Sequence, residues 1–261
     1  MPASPSHAVS LPAHRSPEQG RANPAARDDT AGLLAIVLGL LSVGETRIEN
    51  LPESDGILAT AEACRRLGAA IERAADGSWR IHGVGVGGLL SPEGSLDLGG
   101  SLAGAVLMMG VAAGHGVTAS FDGDPALQAC PIAPALVPLM RMGAEIVTSA
   151  EGTRLPLTLR GAVDAVPILW QMPEGGISSP IKPDLAISAV LLAGLNAPGE
   201  TRVVAPQAAG DEAICLFRLF GADVATASER SARLIVLQGR PTLRPATVTL
   251  PAETPPSSAD V

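Results

Sequence analysis

Tyrosine is absent from these 261 residues, and three phenylalanines and two tryptophans are the only aromatics. A core with so few rings has to be built from aliphatic side chains and alanine, which a hydrophobic content of 46% supplies. Cysteine is scarce too: Cys64, Cys130 and Cys215 are isolated and odd in number. With no Cys-x-x-Cys or Cys/His spacing, neither a metal site nor a disulfide framework is supported, and a reducing cytoplasm is the default location. No run of five basic residues occurs, and the formal net charge is −8. Nucleic-acid binding needs clustered cations, so that class of partner is excluded. The apolar run at 31–43 holds 13 residues, too few to span a bilayer, so no membrane association is expected. The opening MPASPSHAVSLPAHRSPEQGRANP lacks the apolar stretch of a secretory signal, and its Pro, Ser and Ala content reads as a disordered tail over residues 1–24. Nothing in the chain calls for a cofactor.

What is present is a pattern written three times. Leu67-Gly68-Ala69, Met142-Gly143-Ala144 and Phe220-Gly221-Ala222 lie 75 and 78 residues apart, taken glycine to glycine (143 − 68 and 221 − 143). Regular spacing of this kind is the signature of internal repeats. Each copy follows a stretch carrying Arg65 and Arg66, Arg141 or Arg218, which reads as an amphipathic helix ending at a glycine with φ > 0. Each unit opens with a helix apolar on every side: 30–43, 101–113 and 184–196. Such helices are buried, while the arginine-bearing ones face solvent. A strand follows each opening helix (RIENL, VTASFDG, RVVAP), and two more close the unit, ending at Gly83, Gly161 and Gly239. SLDLG (95–99) and AVPILW (165–170) read as lead-in strands, and ATVTL (246–250) as a lone strand lacking a partner. The expectation is an α/β fold of three helix–strand–helix–strand–strand units with pseudo-threefold symmetry, buried apolar helices and outer sheets.

The stretches GETRIENLPESDGILATAEACRRLGAAIE, WRIHGVGVGGL, LMRMGAEI, RLPLTLRGA and VLLAGLNAPGETRVV carry a family resemblance. They resemble EPSP synthase, the 3-phosphoshikimate 1-carboxyvinyltransferase of aromatic amino-acid biosynthesis, from roughly residue 26 to residue 259. The resemblance implies an enolpyruvyl-transferase-type domain over residues 25–240, one of the family's two. The Pro-rich segment 241–261 would then begin a second domain that is missing. The family reaction transfers the enolpyruvyl group of phosphoenolpyruvate to the 5-hydroxyl of shikimate 3-phosphate. The absent domain would supply the catalytic carboxylate and the cations that hold phosphoenolpyruvate, so no catalytic residue is expected here.

The family binds ligand at the N-termini of its buried helices, where unpaired N–H groups and the helix dipole favour anions. At the first helix its Pro-Gly-Asp-Lys-Ser-Ile-Ser-His-Arg matches Ala26 to Leu34, so Asp29 stands for the lysine, Thr30 for a serine and Leu34 for the arginine. Asp28, Asp29 and Thr30 read equally as ordinary N-cap residues. At the second helix, Asn-Ser-Gly-Thr-Ala-x-Arg matches Gly100 to Val106, keeping only Ser101, while Cys130 stands for a later arginine that contacts phosphoenolpyruvate. At the third, the family's Ser-Ala-Gln or Ser-Ser-Gln falls on Pro183, Asp184 and Leu185, unless PEGGISSP (173–180) displaces the serines to Ser178 and Ser179, with Lys182 beside them. A later Arg-Asp-His-Thr matches Gly210 to Ala213. Losing about five charge-assisted contacts, each worth roughly 1.5–3 kcal/mol, would abolish affinity for a dianion.

Three readings follow. The chain is an EPSP-synthase-family domain with little or no activity by itself. Alternatively, it is a non-catalytic interaction module that binds a second such domain or its own copy through the former cleft face, where Leu34, Leu102, Val106 and Leu185 have become apolar. Or it binds a different, less anionic small molecule. The substrate-contacting candidates are Thr30, Ser101, Ser178, Ser179 and Lys182.

Overall fold

Runs of alanine, leucine and valine with no polar stripe must be enclosed on every side, and that requirement sets the architecture. The computed structural model describes residues 9–10, 29–173, 180–229 and 232–252. After β1 (Val9–Ser10) comes α1 (Thr30–Leu40), then β2 (Val43–Glu49), α2 (Asp55–Arg66), β3 (Ala70–Arg73) and β4 (Trp79–Val84). The lead-in β5 (Ser95–Asp97) opens onto α3 (Leu102–Gly114), β6 (Thr118–Asp122), α4 (Pro125–Ala129), α5 (Ala133–Arg141), β7 (Glu145–Ser149) and β8 (Leu157–Arg160). The lead-in β9 (Leu169–Gln171) precedes α6 (Pro183–Gly194), β10 (Glu200–Pro206), α7 (Asp211–Leu219), β11 (Val224–Glu229) and β12 (Ala232–Gln238), and β13 (Thr247–Thr249) comes last.

The helices α1, α3 and α6 form the interior, and from Leu33 to Leu40, Ala105 to Ala113 and Leu185 to Ala193 every residue is buried. Small residues let α3 and α6 touch backbone to backbone. A Cβ on Gly110 or Gly114 would lie 2.6 Å or 2.3 Å from the carbonyl oxygens of Ala189 and Ala193. The amphipathic α2, α5 and α7 lie outside and end as the sequence indicates. Gly68, Gly143 and Gly221 have φ of +114°, +105° and +86°. The alanine after each donates back to Cys64, Leu139 or Phe217, at 3.1, 3.3 and 2.9 Å. This is the Schellman closure that glycine permits without a Cβ penalty. Arg65 and Arg218 then staple the hinge to the next strand, donating to the carbonyls of Ile71 (3.1 Å) and Val224 (2.8 Å).

Three sheets cover the helices, in orders β1-β13-β2-β4-β3, β5-β6-β8-β7 and β9-β10-β12-β11. In each, one strand runs parallel to the strand after the buried helix, and apart from β1 the others are antiparallel. The strand that sequence leaves without a partner therefore has one. β13 pairs with β2 in the place that β5 and β9 take in their sheets, with Val248 opposite Ile48, and β1 adds parallel to its other edge. Gly83, Gly161 and Gly239 pass the ends of α1, α3 and α6 so closely that an added Cβ would lie 2.0, 1.8 and 1.9 Å from a backbone oxygen.

Several expected boundaries move: the strand read at 165–170 is Leu169–Gln171, and the helix read to 196 ends at Gly194. The first helix stops at Leu40 and not at residue 43, because the Ser42 hydroxyl donates to the Gly39 carbonyl (3.0 Å) and Gly44 turns at φ +117°. The second outer helix is broken into α4 and α5 at Cys130-Pro131-Ile132, where a proline removes a backbone donor.

Candidate functional site

The N-termini of the three buried helices open into one cavity of about 610 Å³. Asp29 and Thr30 reach it from α1, Ser101 and Leu102 from α3, and Lys182, Asp184 and Leu185 from α6. Outer helices complete the wall through Ser54 and Asp55 of α2, Asp124 ahead of α4, and Glu212 of α7. Of the expected contacts, Thr30, Ser101 and Lys182 are brought together here, while Ser178 and Ser179 lie outside the described residues. Cys130 does not line the cavity.

Most of the polar groups have local work. Ser101 caps α3 by accepting from the Gly104 amide (3.0 Å), and Ser54 caps α2 by accepting from Ile57 (3.3 Å). Asp124 caps α4 through the Leu127 amide (2.7 Å). Asp184, in the first turn of α6, accepts from the Gly210 amide. Asp29 departs from the cap role read in the sequence. It occupies the N-cap position of α1, but its carboxylate makes no cap bond and accepts instead from the Ser54 hydroxyl, 2.5 Å away. Lys182 occupies the N-cap position of α6, where an ammonium can donate but cannot cap. The apolar cleft face is also only partly present. Leu102 and Leu185 line the cavity, whereas Leu34 and Val106 are 1% and 0% exposed and belong to the core.

The charge balance decides the chemistry. Among the described residues, Asp29, Asp55, Asp124, Asp184 and Glu212 line the cavity with one cation, Lys182. A helix N-terminus is equivalent to roughly +0.5 charge, so three give about +1.5. Adding the lysine leaves about −2.5 against five formal negative charges. Sequence reading singled out polar groups at the buried helices and missed Asp55, Asp124 and Glu212 from the outer ones. Their signal was there, since each sits at a helix start where acidic residues are favoured. Among the described residues no group of His, Cys, Asp and Glu is arranged to hold a metal ion.

A second hollow of about 560 Å³, lined by Arg47, Glu49, Arg73 and Asp76 among others, is self-neutralised. Arg47 pairs with Asp76 (3.0 Å) and Glu49 (3.2 Å), and Arg73 with Glu53. Hydrogen bonds from Ser78 hold the Asp76 carboxyl below its ordinary range, with Arg47 and Arg80 assisting. Cys64 is inert: burial pushes its thiol up to about 12, against a small opposing effect of Arg65.

Residues 26–254 match the family model described as EPSP synthase (3-phosphoshikimate 1-carboxyvinyltransferase). A 3-phosphoshikimate 1-carboxyvinyltransferase of Methylobacterium sp. (strain 4-46) is 49% identical over 247 residues, covering 94% of this chain and 53% of that protein. The Methylorubrum populi protein of the same name is 50% identical over 228 residues, covering 86% and 48%. Among solved structures, EPSP synthase from Acinetobacter baumannii superposes with a TM-score of 0.75 at 30% identity, over 86% of this chain and 48% of that one. The enolpyruvyl transferase NikO from Streptomyces tendae has the same fold (TM-score 0.61, 19% identity, 86% and 50% covered). The chain thus spans about half the length of the curated relatives it matches.

Proposed function

This chain belongs to the EPSP synthase family, and from that premise we propose that by itself it has little or no carboxyvinyltransferase activity. The supporting observation is the cavity at the helix N-termini, where the described residues place five carboxylates around one lysine. The family reaction joins two anions, phosphoenolpyruvate and shikimate 3-phosphate. Bringing them together requires cations that neutralise phosphate and carboxylate before any bond forms. Asp29 at the mouth of α1 works the other way, occupying the anion-favouring end with the chain's own carboxylate. Carboxylates for proton transfer are plentiful, but among the described residues Lys182 and the helix N-termini alone favour the phosphate. A placement in the reducing cytoplasm accords with three cysteines that form no disulfide.

The test is steady-state phosphate release from phosphoenolpyruvate and shikimate 3-phosphate, run beside a full-length relative. No turnover above the enzyme-free rate is expected. A rate comparable to that of the relative would end this reading.

The relatives' length favours a second reading of the partner. Because this chain covers 53% and 48% of two of them, a second domain resembling the remaining half is the natural mate. Self-association cavity to cavity is disfavoured, since two faces of five carboxylates and one lysine repel. Light scattering is expected to show a monomer. A dimer broken by neutralising Asp55 and Asp124 would contradict that reading.

A further inference from the structure

The far end of the same helices, about 20 Å from the cavity at 1.5 Å per residue, holds a group that the cavity does not use. Helix α3 stops at Gly114, and His115 follows, only 3% exposed. Its Nδ1 lies 2.6 Å from the Val111 carbonyl oxygen. A carbonyl can only accept, so Nδ1 carries the hydrogen and Nε2 keeps a bare lone pair. Nε2 is enclosed and meets no hydrogen-bonding group among the described residues.

The residue sits where three segments are tied together. The Val117 amide donates to the His115 carbonyl (2.7 Å), and the Ala162 amide to Ala113 (3.0 Å). Asn196 reaches from the end of α6 to the Gly114 carbonyl (2.9 Å). Gly161 passes so close that a Cβ there would be 1.9 Å from the His115 oxygen. A ring that acquires a second N–H in this place has no acceptor and no room to find one without separating these segments.

We propose that His115 is an acid-sensitive latch: a proton taken from water onto Nε2 releases the end of α3 from the strand end at Gly161 and the turn at Asn196. Among the described residues, the titratable side chains flanking the tied segments include Arg160, Asp164, Glu200 and Arg240. They are engaged outward, Arg160 with Glu145, Glu200 with Arg202, and Asp164 with Arg240, and are 44–80% exposed. None compensates a charge on the ring. Burial lowers the His115 pKa, and only the bond to Val111 opposes it.

The sign follows. With the closed-state pKa below the ordinary 6.5, the open state binds the proton more readily. The latch is therefore intact above pH 6.5 and weakens as pH falls from there towards the closed-state pKa, with opening increasing up to about tenfold per pH unit.

Amide hydrogen exchange on the full chain at pH 7.5 and 5.5, corrected for intrinsic rates, reads this directly. Opening at Val111–Val117, Gly161 and Ala162 is expected to rise at the lower pH, by at most about tenfold. In His115→Asn, which keeps a donor for Val111 and loses the basic nitrogen, it is expected to stay level. The exposed His82, 3.5 Å from Glu45, is the control, and His82→Asn should behave as the parent. Equal pH responses in the parent and His115→Asn would overturn the proposal. Should His115→Asn not fold, imidazole nitrogen shifts of the parent chain decide. The neutral Nδ1–H form is expected at every pH where these amides stay closed, and a protonated ring in the closed state near pH 6.5 would refute the latch.

Discussion

Gly161→Ala is the sharpest perturbation the fold offers. The added methyl carbon would fall 1.8 Å from the Ala112 carbonyl oxygen and 1.9 Å from that of His115, where real contacts are not shorter than 3.0 Å. Both neighbours are backbone, so no side chain can swing aside, and the two segments must part by more than 1 Å. Overpacking at side chains costs about 1–3 kcal/mol, and displacing backbone on both sides should exceed it, so a loss of about 3 kcal/mol or more is expected. The same reasoning applies to Gly83→Ala, 2.0 Å from the Gly39 oxygen, and to Gly239→Ala, 1.9 Å from that of Ala197. Two controls separate sterics from backbone freedom. Gly87 has nothing within 4 Å and no left-handed φ, so Gly87→Ala should change stability by less than about 1 kcal/mol. Gly77 also faces open space but sits at φ +82°, so its alanine should cost about 1–2 kcal/mol. Urea unfolding with a common m-value measures all five. If Gly161→Ala lies within 1 kcal/mol of Gly87→Ala, the close crossing of strand end over helix end is wrong.

Thiol labelling should follow exposure. The exposed Cys215 reacts first, the half-buried Cys130 more slowly, and Cys64, buried with its thiol pushed up to about 12, only on unfolding. Three equivalents released at once from the native chain would contradict this. Val248 is fully buried in β13, so Val248→Ala should lower stability by about 2 kcal/mol, and an unchanged melting curve would mean that β13 does not dock on β2.

The parts of the fold visible in sequence are those set by local physics. Leu67-Gly68-Ala69 and its two counterparts specify helix ends because only glycine takes the left-handed turn cheaply, and all three have it. The unpatterned apolarity of 31–40 required burial, and it is buried. Distance along the chain hid the rest. The partner of β13 lies some 200 residues away, with Asn50 donating to the Leu250 carbonyl at 3.0 Å, and no local pattern announces such a pairing. The acidic wall was hidden for the same reason. Asp55, Asp124 and Glu212 each read as routine helix-start residues, and only the fold brings them to one cavity. Leu34 and Val106 were misread because position along a helix does not say which way a side chain points when every face is apolar.

Calorimetric titration of the purified chain with shikimate 3-phosphate tests the central claim most directly. Five carboxylates against Lys182 and three helix N-termini predict no binding heat at millimolar ligand, with or without phosphoenolpyruvate. A micromolar Kd would contradict the account, because the backbone amides and one lysine would then be outweighing the acidic wall.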